Sequence, residues 1–263
     1  MRSARFGLLL CLFLFQRPVL GQQVSSSPTR DAQVISLLQR ASSAMGAAVP
    51  PDSVATGSIT VVAGSKTDTG TIRTLTRGLD QTDEEIDFST EHRAVIYSRA
   101  YANEIQGTST KSLPLELVVT SQSANSPLHL IAGALNNPDL AAQYIGLENL
   151  DGASVHHIRI WNTFSSQPDL RSLAEFTAQD IWVDGTTYLP RKLSYERRAG
   201  SGAVPHIRME VYYSNYQNVS GVLYPFLVQK SLNGTPWATI AIQNVALNTG
   251  LSDSDFPVTQ GAK

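Results

Sequence analysis

Ile181-Trp182-Val183-Asp184-Gly185, followed by Tyr188-Leu189-Pro190-Arg191-Lys192-Leu193-Ser194-Tyr195, decides how this 263-residue chain reads. Ile181 and Val183 alternate with polar or outward-capable neighbours, and Leu189, Leu193 and Tyr195 do the same after the reversal. Alternation sends successive side chains to opposite faces of a strand. Asp-Gly accepts the backbone conformation that a tight reversal needs. The stretch reads as a half-buried antiparallel hairpin.

The same pattern repeats outward. Strands at 147–150 and 155–161 flank Asp151-Gly152, and strands at 222–230 and 237–247 flank Asn233-Gly234. Gly200-Ser201-Gly202 separates the decisive hairpin from a strand at 206–216. Toward the N-terminus, Ile59, Val61 and Ala63 form one alternating set, and Ile72, Thr74 and Thr76 a second. Val95, Tyr97, Arg99 and Tyr101 form a third, and Leu115, Leu117 and Val119 a fourth, with Pro114 at its edge. Asp83, Glu84, Glu85 and Asp87 lie between these sets and read as a solvated acidic loop.

Helical spacing interrupts the strands three times. Val34, Leu38, Ala41 and Met45 share one face of a helix over 29–45, with Thr29 or Ser27 as its cap and Gly46 as its end. Leu128, Ile131, Ala132 and Leu135 mark a second helix, started by Ser126-Pro127 and stopped by Asn136-Asn137-Pro138. Leu170, Leu173 and Ala174 mark a short piece over 168–176. The fold class is therefore mainly β (α+β). About ten antiparallel strands form a single strongly curved sheet, an incomplete barrel, with an N-terminal helix and a short lid helix.

Residues 1–21 read as a cleaved secretory signal. Arg2 and Arg5 precede an apolar run over 6–15, and Val19 and Gly21 offer a cleavage site. The run is too short to span a bilayer, so no transmembrane span remains after cleavage. The single cysteine, Cys11, leaves with the signal. The remainder, 22–263, reads as one domain, periplasmic or secreted, stable without disulfides.

Charge and composition exclude other classes. A net charge of −2 and a pI near 6.2 exclude the basic face that nucleic acid requires. Only 16% of residues are charged, against roughly 25% in average domains, so the surface is polar but sparsely charged. His156 and His157 point to opposite faces of a strand and cannot share a metal. His92, His129 and His206 are isolated, and Gly152-Ala153-Ser154 lies in a hairpin rather than a nucleophile elbow. The sequence asks for no metal, no cofactor and no catalytic residue.

The aromatic residues carry the remaining signal. Trp161, Trp182, Tyr195, Tyr213, Phe226 and Trp237 all fall on strands. Together with Leu128, Ile131 and Leu135 of the lid helix they are the candidate lining of an apolar pocket in the barrel mouth.

Three stretches resemble a known family. They are Ile181-Trp182-Val183-Asp184 with Leu189-Pro190-Arg191-Lys192-Leu193, then Tyr213-Ser214-Asn215-Tyr216 with 219–225, then Asn244-Val245-Ala246-Leu247-Asn248 with 251–256. With the signal and the N-terminal helix, they resemble the LolA/LolB-like superfamily of outer-membrane lipoprotein-sorting proteins, as a divergent member. The resemblance covers 145–256 and, more loosely, 29–63. It implies a half-barrel whose apolar cavity accommodates acyl chains of lipoproteins or other lipids, without chemistry. It also implies an arginine that latches the lid, for which Arg93 and Arg99 are the candidates. Segment 80–110 departs from the carrier pattern. Two alternatives stay open: an envelope interaction, scaffold or sensor protein with a self-filled cavity and a protein partner, and a hydrolase with an unrecognised site.

Overall fold

Every strand finds its neighbour antiparallel, and all join one sheet. The computed structural model describes residues 27–46, 48–121, 127–198 and 206–259. The expected signal at 1–21 and the Gly200-Ser201-Gly202 spacer lie outside them. Helix α1 (Ala32–Ala44) leads into a first meander of six strands: β1 (Asp52–Ala63), β2 (Lys66–Arg77), β3 (Gln81–Phe88), β4 (His92–Ser98), β5 (Tyr101–Gln106) and β6 (Ser109–Ser112). Helices α2 (Leu115–Ser121) and α3 (Pro127–Asn136) cross to the far edge. A second meander returns: β7 (Leu140–Leu150), β8 (Ala153–Asn162), β9 (Gln179–Asp184), β10 (Pro190–Arg197), β11 (Ile207–Val219), β12 (Val222–Leu232) and β13 (Thr235–Leu247), with a 3₁₀ segment Pro168–Thr177 between β8 and β9.

The strand order is β6-β5-β4-β3-β2-β1-β13-β12-β11-β10-β9-β8-β7. The sheet is mostly hairpins, and the one long-range seam is β1 against β13. Its register shifts between Thr56 and Gly57, a bulge that sharpens the local twist. A Cβ on Gly57 would lie 2.2 Å from the Ala241 carbonyl oxygen, so the seam closes only over glycine. The sheet is curved and open, because β6 and β7 end it without pairing to each other.

The hairpins at Asp151-Gly152 and Asn233-Gly234 form as their sequences direct, with both residues of each pair at positive φ. Three expectations are corrected. Val95, Tyr97, Arg99 and Tyr101 do not form one strand, because the chain reverses at Arg99 (φ 58°) between β4 and β5. Leu115, Leu117 and Val119 belong to α2, not to a strand. Short apolar runs do not separate the two periods, and Pro114 starts a helix here by accepting from the Leu117 and Val118 amides. Val118 then buries against Tyr97 and Ala102. The acidic run 83–87 is the body of β3, not a loop.

The N-terminal helix is three residues shorter at its start than its periodicity suggests. Thr29 and Asp31 instead bond the backbone of Ala142 in β7. Asp31 becomes the cap, accepting from the Gln33 amide at 2.8 Å. At the other end Gly46 takes φ +121°, with the Gly221 carbonyl in the space its side chain would need. Val34, Leu37, Leu38 and Ala41 of α1 and Leu128, Leu130, Ile131 and Ala134 of α3 fill much of the concave face in one core with Ile158, Ile181, Leu193 and Val211.

The convex face has its own cover. After β13 the chain doubles back, and the Asp52 carboxylate accepts from Thr249, Gly250 and Leu251. Asp253 accepts from Arg77 at 2.6 Å and from Arg99 at 2.7 Å. Phe256, 2% exposed, packs on Leu75 and Ile96. Asp83 pairs in register with both Leu75 and Ile96, so it shares this covered face. It is 4% exposed and its Oδ1 has no hydrogen-bond partner among the described residues. Burial first, and then the neighbouring Glu85 charge, push its carboxyl up from 3.8 to about 7.

The folded state thus holds the Asp83 proton up to about pH 7, whereas the unfolded chain releases it near pH 4. Stability from this group falls as pH rises through that window. Asp83→Asn is expected to be more stable than the parent at pH 8, on the order of 2 kcal/mol after solvent screening. The gain should vanish toward pH 4 in urea titrations across that range.

Candidate functional site

A cavity of about 310 Å³ opens on the concave face. It lies at the end of the sheet where β3, β5, β10 and β12 finish and β4, β11 and β13 begin. Alternation puts every second side chain of each strand into it. Its wall includes Val61 of β1, Ile86 and Phe88 of β3, Val95 and Tyr97 of β4, Tyr195 of β10, Met209 of β11 and Trp237 of β13. The volume is at the lower end of the range of about 300–1,000 Å³ typical of small-molecule pockets.

One ion pair crosses this apolar space. Lys230 of β12 donates to both carboxylate oxygens of Glu84 of β3, at 3.0 and 3.3 Å. Their side chains are only 9% and 15% exposed. Along the sheet the two strands are four spacings of about 4.8 Å apart, or about 19 Å. The contact exists only because the sheet curls until β3 faces β12. Arg93, Arg197 and Glu104 stand further out on the cavity lining. Arg93 is paired with Glu91 at 2.7 Å and lies over the Phe88 ring.

The lid helix is held by an arginine, but by neither candidate. Arg93 lines the cavity and Arg99 binds Asp253 on the convex face. Arg30 does the holding. Its guanidinium donates to the carbonyls of Ala134, Leu135 (3.2 Å), Asn137 (2.8 Å) and Leu140 (3.0 Å). These include the last carbonyls of α3, which have no partner inside the helix, and a cation suits that negative end. On its other side Gly133 lies against Leu79 of the β2–β3 turn, where a Cβ would come within 2.4 Å of the leucine. Helix α3 therefore bridges the second meander to the first.

Of the sequence-derived candidates, the structure brings Tyr195 and Trp237 to the cavity. Trp182 stands on the convex face, because Ile181 and Val183 take the concave one. There its Nε1 donates to Glu148 at 2.7 Å, and its ring stacks on His157 at 4.3 Å. Trp161 lines a separate cavity of about 200 Å³ with Leu130, Gly133, Ala134 and Phe164. Tyr213 and Ile131 are buried in the main core, and Leu135 packs against it. Leu128 belongs to the same core. Phe226 packs on Ala55, Tyr224 and Val245, away from the cavity.

The residues missed by the sequence reading include Val61, Glu84, Ile86, Tyr97, Arg197, Met209 and Lys230. A signal for Glu84 was present. Thr82, Glu84, Ile86 and Phe88 alternate, so Glu84 shares the face of two apolar residues, which a solvated loop does not require.

His156 and His157 do face opposite ways. His156 meets the Tyr144 hydroxyl at 3.1 Å. His157 lies between Glu148 (2.7 Å) and Asp180 (3.0 Å). Burial opposes the charged ring, but the two carboxylates outweigh it and raise the His157 pKa. This ladder continues through Arg159 on Asp180 and Lys192 on Glu210 and stiffens the convex face.

Two substitution series test the frame of the site. Lys230→Met alone should cost about 3–5 kcal/mol, because it strands a buried carboxylate. Adding Glu84→Leu should return most of that loss in the same urea titrations. Arg30→Ala is expected to lower stability by about 2 kcal/mol and to raise amide exchange at 133–137 more than in β11. Arg30→Lys should not rescue it, because one ammonium does not reproduce a guanidinium fork.

No family model matches the sequence, and no curated protein matches it. Solved structures do match in fold. A LolA superfamily protein from Nitrosomonas europaea aligns with a TM-score of 0.56 at 15% identity, covering 85% of this chain and 96% of that one. A domain from Vibrio parahaemolyticus, assigned as an outer membrane lipoprotein-sorting protein, aligns with a TM-score of 0.55 at 13% identity, covering 84% and 95%. No helix among the described residues is long and apolar enough to cross a membrane. The curved open sheet, the α1–α3 filling and these alignments together give the chain the LolA-superfamily fold, in a divergent sequence.

Proposed function

We propose that this chain is an exported, non-catalytic binding protein that accommodates an acyl chain of a lipid or lipoprotein in its half-barrel. The observation that carries the reading is the cavity of about 310 Å³, lined by Val61, Ile86, Tyr97, Tyr195, Met209 and Trp237. Buried methylenes would contribute about 0.8 kcal/mol each. The charges on its lining are arranged so that an apolar chain need not strand them, since Lys230 and Glu84 neutralise each other. Export rests on the apolar leader at 1–21.

Helix α3 covers the adjoining part of the concave face rather than the cavity itself, and it is the element that would move, with Arg30 as its latch, if the site enlarges toward the core. The self-filled alternative describes the part of the concave face under α1 and α3, where side chains occupy the space. The open end of the sheet supports a ligand instead.

The full chain, exported from its own gene and purified without detergent, should carry lipid masses in native mass spectrometry that leave on gentle denaturation. Met209→Trp, which fills the cavity, should abolish them while leaving the fold intact by circular dichroism. A single clean mass, unchanged by added lipopeptide or dodecanoate, would overturn this reading in favour of a protein-binding scaffold.

A further inference from the structure

Three cations line the concave cavity, and they differ in one respect. Lys230 is paired with Glu84 and Arg93 is paired with Glu91. Arg197 is half-buried on the cavity lining, and its side chain makes no hydrogen bond or ion pair among the described residues. It is the last residue of β10, two positions beyond Tyr195 on the same face. Tyr195 pairs in register with Met209, and Arg197 pairs with Ile207 nearer the strand end. Arg197 therefore sits at the rim, with apolar wall directly inward of it.

A guanidinium that is half removed from water and lacks an acceptor retains its full capacity for a planar, bidentate anion. The charges around it restrict which anion. Glu104, an exposed carboxylate, also lines the cavity, and its repulsion is larger for a doubly charged head group than for a singly charged one. The deep Lys230 offers no competing site, because Glu84 already occupies it. On β10 the lining consists of Tyr195 and Arg197, and on β12 it reaches Lys230, which stands in register four residues inward of Arg197, or about 13 Å. That depth and the cavity volume suit one chain rather than several.

We propose that the cavity binds a single-chain amphiphile with a carboxylate head, a free fatty acid, whose head group pairs with Arg197 and whose chain runs inward over Tyr195, Met209 and Trp237. The inference rests on the acyl-chain reading above and names its ligand class.

The test is displacement of a neutral solvatochromic dye from the full chain by dodecanoate, methyl dodecanoate and dodecyl phosphate. Dodecanoate should displace the dye at least about tenfold better than its uncharged methyl ester, the equivalent of one charge-assisted contact. Dodecyl phosphate should be weaker than dodecanoate. Arg197→Met should remove the preference for dodecanoate and leave methyl dodecanoate unchanged, and Arg197→Lys should restore part of it. Glu104→Gln, at the exposed rim, should tighten dodecanoate about twofold by relieving repulsion and provides a second readout that leaves Arg197 in place. Equal binding of acid and ester, a preference that survives Arg197→Met, or tighter binding of the phosphate would each overturn the carboxylate assignment while leaving the acyl-chain reading standing. Displacement by none of the three would overturn both.

Discussion

The pairing of β1 with β13 is the constraint on which the molecule depends. Each meander is a run of local hairpins whose partners lie close in sequence, so each forms at small loop-closure cost. Only the β1–β13 seam brings residue 53 opposite residue 247 and residue 61 opposite residue 238. It turns two ribbons into one curved surface. The glycine at its bulge allows the backbones to approach closely. Without that seam neither the concave cavity nor the strap over the convex face has two sides.

Curvature then decides what may be buried. On a flat sheet Glu84 and Lys230 would be isolated charges far apart, and burying either would be prohibitive. On this sheet they meet across the interior and neutralise each other. The same curl lets α1 and α3 occupy one part of the concave face and leaves the other part open. Arg30 ties the end of α3 to the second meander, while Leu79 supports it from the first. Lid and wall are therefore mechanically joined.

The convex face shows the opposite solution. The segment after β13 covers an apolar strip made by Leu75 and Ile96, and Asp83 is caught beneath it. That carboxyl has no counter-charge of the kind Glu84 finds. The difference between these two neighbours in sequence is one of face alone: the even position looks into the cavity toward Lys230, and the odd one looks under the strap. His156 and His157 repeat the lesson on β8. One joins Tyr144 on the concave side, and the other joins two carboxylates on the convex side.

Much of this was determined by the sequence alone. The turn pairs Asp151-Gly152 and Asn233-Gly234 accept positive φ, and alternation on either side of them permits only strands. The helical spacing at 29–45, 127–136 and 168–176 is likewise local. From these the half-barrel class and its helices follow, because turn chemistry and side-chain period act within a few residues. Short apolar runs such as 115–119 satisfy either period, and only the packing of Val118 against Tyr97 chose the helix. The site was decided by tertiary structure. Alternation says that Trp182 and Ile181 face opposite ways, but not which way is concave. That answer comes from the hand and extent of sheet curl, summed over thirteen strands. No local stretch records that Glu84 meets Lys230, that Arg30 holds α3, or that Arg197 lines the open cavity, because each is a contact between residues placed by the β1–β13 seam.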